Sequence, residues 1–431
     1  MRSNRLATAG LAIVLWCSPM PGQSLTTAVT AKDLVEAALQ RNREYLAAKA
    51  KVAEAEALLR QAGIRPTPSL EIETATGKLL GSAGDSEFSA AYFHTIETGG
   101  KRDKRIQVAQ KALDIATADV DERRRQLTFE VKMRYAQAVT EQLKVAAINR
   151  LIPVNRESYQ MTLSRVELGD AAPLEQQLLA ADINRSEAQQ AMFSARYDAA
   201  LLELKSTVGL SRSDSLELPL EIDMRMPTAT AVERLVEYGL LNRPDLRVLM
   251  ALEEQAAAEA KQARSEGTPD LTASARYTHT HTLFDQFAFS QTGAIVPVQN
   301  HENLATFGLA IPLFTKRRIE GAVSAAMARK TQAELRREHL LQVIPQEVEA
   351  AFRRWTGAQR MLQILKTGVV EQSQKNLTVI REAYRLGQLR LFDVLNEQRK
   401  LIEIELTFVD AQSEAAQALA ELEKAVGGIL P

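Results

Sequence analysis

Residues 61–70 read QAGIRPTPSL, and residues 262–271 read QARSEGTPDL. The stretches lie 201 positions apart and share Gln-Ala, then Thr-Pro, a polar residue and Leu. Each follows an alanine-rich charged run with high helical propensity and precedes a segment of alternating apolar and polar residues. Proline ends a helix and is accepted at the first position of a strand. The chain therefore passes from helix to strand twice, through the same motif.

The echo runs the length of the chain. LVEAALQRNREYL at 34–46 resembles LVEYGLLNRPDLR at 235–247, again 201 apart. IETGGKRDKR at 96–105 matches IPLFTKRRIE at 311–320 at an offset of 215. VELGDAAPLE at 166–175 matches AYRLGQLRLFD at 383–393 at an offset of 218. The growing offset places insertions between elements, where loops absorb length changes. We read an internal duplication: a first repeat over 24–210, a connecting segment over 211–230 and a second repeat over 231–431.

Each repeat reads as helix, two strands and a long helical hairpin. In the first, these are a helix over 32–62, strands over 68–77 and 86–98, and a hairpin over 100–208. In the second, they are a helix over 231–264, strands over 269–283 and 303–314, and a hairpin over 316–427. Apolar residues at Leu127, Val131, Tyr135 and Ala138, and at Ile344, Val348, Ala351 and Trp355, recur in steps of three and four, the spacing of a coiled-coil seam. As one helix, residues 316–386 would run about 105 Å. Pro153 and Pro345 lie inside these runs and are expected to kink them. Gly169 and Gly387 mark the far turns, where a left-handed residue ends a helix.

In the strands, Phe307, Leu309, Ile311 and Leu313 alternate with smaller residues, and Leu70 and Ile72 alternate with Glu71 and Glu73. Such segments are the mark of a membrane β-barrel. Four strands do not close a barrel, and an open sheet edge is not tolerated in lipid. Closure therefore requires several chains, and three would supply twelve strands.

Composition agrees with this plan. Aromatic residues make up only 5% of 431 residues, too few for a thick globular core, and charged residues reach 25%. A net charge of −1 leaves no electrostatic footprint for nucleic acid. Arg2 and Arg5 followed by the apolar run Leu6–Trp16 read as a cleaved signal peptide over 1–23. Cys17, the sole cysteine, lies within it and follows Trp16, whereas a lipid-bearing cysteine follows a small residue. Removal of that segment leaves no thiol for disulfides, catalysis or metal binding. The sequence holds no later run of about 20 apolar residues that would form a transmembrane helix.

The duplicated plan, GGKR at 99–102 after the strand pair, and the Gly387 turn followed by DVLNE at 393–397 resemble the TolC-type outer-membrane efflux duct family. NRPDLR at 242–247 and TPDL at 268–271 are similar to its cobalt–zinc–cadmium branch, the partners of heavy-metal cation exporters. The resemblance implies a mainly α chain with a membrane β-barrel. It implies a homotrimer with a twelve-stranded barrel in outer-membrane lipid and a long periplasmic helical tunnel. The tunnel would meet a periplasmic membrane-fusion adaptor and an inner-membrane pump of the RND type. The duct itself would be passive, with no cofactor.

The resemblance also assigns roles. Leu168, Gly169, Leu386 and Gly387 are expected at helical tips that contact the adaptor. Tyr384, three before Gly387, and Asp393, six after it, stand where the family has a gate tyrosine and aspartate. Leu389 and Asn396 depart from the family pattern of a gating arginine and a second aspartate. Glu175, six after Gly169, would join Asp393 in an acidic ring at the periplasmic aperture. Lys101, Arg102, Lys316 and Arg317 follow the strands and read as anchors at the membrane interface. His279, His281 and His301 lie in or beside the enlarged loop of the second repeat. With no cysteine and sparse carboxylates nearby, they read as surface histidines more than as metal ligands. No nucleophile, phosphate-loop or zinc-hydrolase motif is present, so no catalysis is expected. Rival readings are a duct for drugs or for type I secreted proteins, and an exported coiled-coil scaffold or adhesin. A scaffold leaves the paired alternating strands unexplained.

Overall fold

The computed structural model describes residues 29–80, 84–221, 231–313 and 319–428. The segment read as a signal peptide, with Cys17, lies outside them, as do most of the second half of the connecting segment and both Lys316 and Arg317.

The first repeat begins with α1 (Ala31–Arg41) and α2 (Arg43–Ala62), where the sequence reads one helix. Asn42 sits between them with extended backbone (φ −65°, ψ 119°), and its side chain accepts a hydrogen bond from the Tyr45 amide at 3.0 Å. That cap satisfies an otherwise orphaned donor at the α2 start. β1 (Ser69–Thr76) and β2 (Ser86–Ile96) follow, then α3 (Lys101–Glu167) and α4 (Pro173–Val208). The 67 residues of α3 span about 100 Å, and the helix runs on through Pro153.

The second repeat breaks its first helix at the matching place. α5 (Val232–Asn242) and α6 (Pro244–Ser265) meet at Arg243 (φ −65°, ψ 123°). Pro244 occupies the first position of α6, where its missing N–H costs nothing. β3 (Leu271–Phe289) and β4 (Ile295–Ala310) are longer than the sequence reading, which missed their shared outer extension. The expected single helix is also divided. α7 (Glu320–Ile364) continues through Pro345, a π turn spans Leu365–Val370, and α8 (Glu371–Arg385) and α9 (Leu391–Val426) complete the hairpin.

The four strands form one antiparallel sheet in the order β1-β2-β3-β4, leaving β1 and β4 as its edges. The register places the charged side chains of the paired positions on one face; Asp285 falls in the register shift between Leu283 and Phe287 and is assigned to neither. One face carries Leu70, Ile72, Phe88, Tyr92, Ala275, Tyr277, Phe307 and Leu309, and no Asp, Glu, Lys or Arg at the paired positions. The opposite face carries Glu71, Glu73, Glu87, Arg276 and Glu302, every such charge at the paired positions.

The helices hold two matching apolar clusters, one per repeat. Leu34, Leu127, Val131, Leu204 and Val208 centre the first; Leu235, Ile344, Val348, Leu422 and Val426 centre the second. Smaller clusters lie farther along the hairpins, around Ile148, Ile152 and Phe193 and around Leu179, Leu391 and Leu395. This is the thin core that few aromatics and many alanines permit.

Candidate functional site

Three regions carry the described residues singled out in the sequence: the hairpin tips, the junction where helices meet the sheet, and the β3–β4 pair of the sheet.

Both tips close with the same hydrogen bonds. In the first, Gly169 (φ +80°) donates to the Val166 carbonyl at 3.1 Å and Asp170 to the Arg165 carbonyl at 2.8 Å. In the second, Gly387 (φ +75°) donates to Tyr384 at 2.9 Å and Gln388 to Ala383 at 2.9 Å. The positive φ is why glycine stands there. Leu168 and Leu386, one residue earlier in each turn, are 77% and 64% exposed. Pro173 starts α4 and fixes the return in the first hairpin, while Asp393 does so in the second. The Asp393 carboxylate accepts the Arg390 amide at 3.1 Å, closing the first turn of α9. Glu175 lies half-buried in the corresponding turn of α4.

Tyr384 meets a residue the sequence reading overlooked. Its hydroxyl accepts a hydrogen bond from Arg165 Nη1 at 3.0 Å, and the guanidinium lies 6.0 Å from the ring centroid. The ring packs beside Leu179, Leu391 and Leu395. Tyr384 thus joins the two hairpins through Arg165, and not through Asp393. The position four before Gly169, in the last turn of α3, was the available signal. Other bridges cross the hairpins: Arg399 of α9 reaches the buried Asp182 of α4 at 2.7 Å, and farther up Lys144 of α3 reaches Asp410 of α9 at 2.6 Å.

At the sheet junction Lys101 is buried, and its ammonium lies 2.7 Å from Asp270 and 3.6 Å from Glu266. Arg102 donates to the Gly63 carbonyl at 2.7 Å. Arg105 pairs with Glu97 and donates to the carbonyls of Ala62 and Ile64. These side chains tie helix ends to strand ends across both repeats. Burial works against the Asp270 charge, but Lys101, the Thr98 amide and Arg105 hold its carboxyl below the usual range.

The histidines fall on the uncharged sheet face. His281 and His301 are register partners with ring centroids 4.4 Å apart, and His279 lies 6.0 Å from His301. His279 Nδ1 is 2.8 Å from Asn303 Oδ1. Among the described residues, no group of three or more His, Cys, Asp or Glu side chains is arranged to hold a metal ion. No described helix is long and apolar enough to cross a membrane.

Known proteins match over most of this length. The profile of the outer membrane efflux protein family matches twice, over residues 34–210 and 235–428. The chain is 22% identical to the cobalt-zinc-cadmium resistance protein CzcC of Cupriavidus metallidurans, over 77% of this chain and 75% of that protein. It is 26% identical to the pyoverdine export outer membrane protein OpmQ of Pseudomonas putida, over 92% of this chain and 85% of that protein. Its fold superposes on CusC with a TM-score of 0.71 at 18% identity, covering 96% of this chain and 97% of CusC. The Campylobacter jejuni CmeC channel gives 0.72 at 15% identity, covering 99% and 94%. With the double profile match spanning both repeats, the chain belongs to the outer membrane efflux protein family.

Proposed function

We propose that this protein is the passive outer-membrane duct of a tripartite efflux system, assembled as a trimer. The observation that carries the reading is the division of the sheet. Its uncharged face exposes large apolar side chains, including Phe307 at 82% and Leu70 at 66%. A monomer in water does not sustain such a patch, whereas lipid covers it. The free edges of β1 and β4 then require neighbours, and three copies give a closed twelve-stranded wall. The long hairpins form the periplasmic tunnel. Their exposed tips at Leu168, Gly169, Leu386 and Gly387 are the surface for a periplasmic adaptor, which connects to an inner-membrane pump of the RND type. In this reading 1–23 is the signal peptide and the two profile matches correspond to the two repeats.

We assign the periplasmic aperture to Tyr384, Asp393 and Glu175, with Arg165 as the partner of Tyr384. The cargo we favour is heavy-metal cations. Four glutamates against one arginine on the inner sheet face make a lumen that attracts cations, consistent with the relationship to a cobalt-zinc-cadmium resistance protein. Export of an organic molecule is the second reading, because another relative is a pyoverdine export protein.

A deletion strain tested against cobalt, zinc and cadmium salts and a drug panel separates them. Loss of metal tolerance alone supports the first reading. Drug sensitivity with unchanged metal tolerance overturns it. The mass of the detergent-solubilised assembly tests the trimer.

A further inference from the structure

The hydrophobic seam of the second hairpin changes phase at the π turn. Ile344, Val348, Ala351, Trp355, Ala358 and Leu362 are buried at alternating steps of four and three. Extended without interruption, the pattern would bury residues 376 and 379, yet Asn376 and Val379 are exposed. Instead Leu377 is buried, and Ser373, Ile380 and Tyr384 are half-buried, one position later. The π turn between them absorbs one residue, so the same face points inward above and below it.

Comparison of the repeats identifies that residue as an insertion. Glu130-Val131 and Tyr135 match Glu347-Val348 and Phe352 at an offset of 217, while Gly169 matches Gly387 at 218. The second repeat therefore gains one position between these markers, and the π turn lies in that interval. The matching stretch of α3 is continuous and buries Ala147, Ile148 and Ile152, whereas no residue of the π turn is buried. At this level one hairpin has these fully buried residues, whereas in the other Leu365, Val369 and Val370 are only half-buried and Lys366, Thr367 and Gly368 are exposed.

We propose that Leu365–Val370 is a hinge, created by a one-residue insertion, about which α8 and its Tyr384 swing as a unit. The proposal rests on the reading of Tyr384 as part of the aperture. It uses a general property of helices: one added residue turns everything beyond it by about 100° unless a wider turn absorbs it.

Deletion of Gly368 in the full-length protein is the test, because it removes the insertion while leaving the lower seam in phase. The deletion variant is expected to assemble. It should retain bismaleimide cross-linking between Arg165→Cys and Tyr384→Cys. Amide exchange over residues 365–385 should slow several-fold, and open probability in planar bilayers should fall several-fold. A Cβ at Gly368 meets nothing within 4 Å, so Gly368→Ala keeps chain length and should behave as the parent. Failure of the deletion variant to assemble or cross-link overturns the insertion. Exchange and opening at parental values overturn the hinge, as does Gly368→Ala reproducing the deletion. If Tyr384→Phe and Arg165→Ala leave opening unchanged, the aperture reading fails instead, and slowed exchange in the deletion variant still supports the hinge.

Discussion

Asn42 and Arg243 occupy the same place in the two repeats, 201 residues apart, with nearly the same backbone. Each breaks the opening helix of its repeat and packs against the glycine that ends the last helix, Gly209 or Gly427. The chemistry differs. Asn42 is a local solution: Oδ1 caps α2, and Nδ2 donates to the Thr207 carbonyl at 2.8 Å. Arg243 is a distributed one. It is buried, pairs with Asp245 at 2.6 Å and with Glu347, and donates to the Ala425 carbonyl at 3.3 Å. Arg125 of α3 reaches the same Asp245 at 3.5 Å and donates to the Lys424 carbonyl at 2.5 Å. The same backbone break therefore closes one repeat by itself and, in the other, fastens the two repeats together.

The largest effect is expected from Arg243→Ala. It takes a buried guanidinium away from Asp245, which keeps only Arg125 and the Leu246 amide, from the half-exposed Glu347 and from the Ala425 carbonyl, at a cost of about 3 kcal/mol. Thermal unfolding of the assembled protein measures it, and a loss under 1 kcal/mol would show that the network is incidental. Acid probes the same contact. Burial opposes the Asp245 charge, but Arg243, Arg125 and the Leu246 amide outweigh it and hold the carboxyl below its usual range. A group depressed in the folded state stabilises above its unfolded value, about 3.9, and that stability is lost as pH falls through the lower folded value. Stability should therefore decline below about pH 4, and decline less in a variant carrying Asp245→Asn.

Next come the glycines. At Gly209 (φ +84°) a Cβ would lie 2.8 Å from the Arg41 backbone, while at Gly427 (φ +92°) it would lie 3.1 Å from Arg243. Alanine at position 209 is expected to cost about 2–4 kcal/mol, from left-handed backbone plus overpacking. Gly427→Ala should cost less, and equal losses in chemical unfolding would contradict the tighter fit at the first break. The smallest change is Asn42→Ala, about 1 kcal/mol for the cap. If it matched Arg243→Ala, the contrast between local and distributed closure would collapse.

Both breaks were legible in principle. Asn42 is a strong capping residue, and Pro244 is a marker of a first helical turn. Alanine-rich periodicity on either side masks them, because a helix that resumes after one extended residue keeps its composition. The outer strand extension was hidden for a different reason. Pro297 within IVPVQN argues against a strand, yet β4 is an edge, where a missing donor is tolerated. At the tips, the glycines and Tyr384 were readable from local pattern. Arg165 offered only its place four before Gly169, and its role was hidden because its partner lies 219 residues away.

The sequence by itself determined what is periodic or local: helix against strand, the duplication, the alternation that leaves one sheet face uncharged, and the turns that need glycine. These follow from backbone geometry and side-chain spacing, which neighbours in the chain decide. Tertiary structure decided where charges point and where an extra residue goes. Lys101 turns into the junction because Asp270 and Glu266 wait there, brought by a strand and a helix of the other repeat. The inserted residue widens into a π turn between seams that must both face inward, since burying Leu362 and Leu377 on one side fixes the phase from both ends.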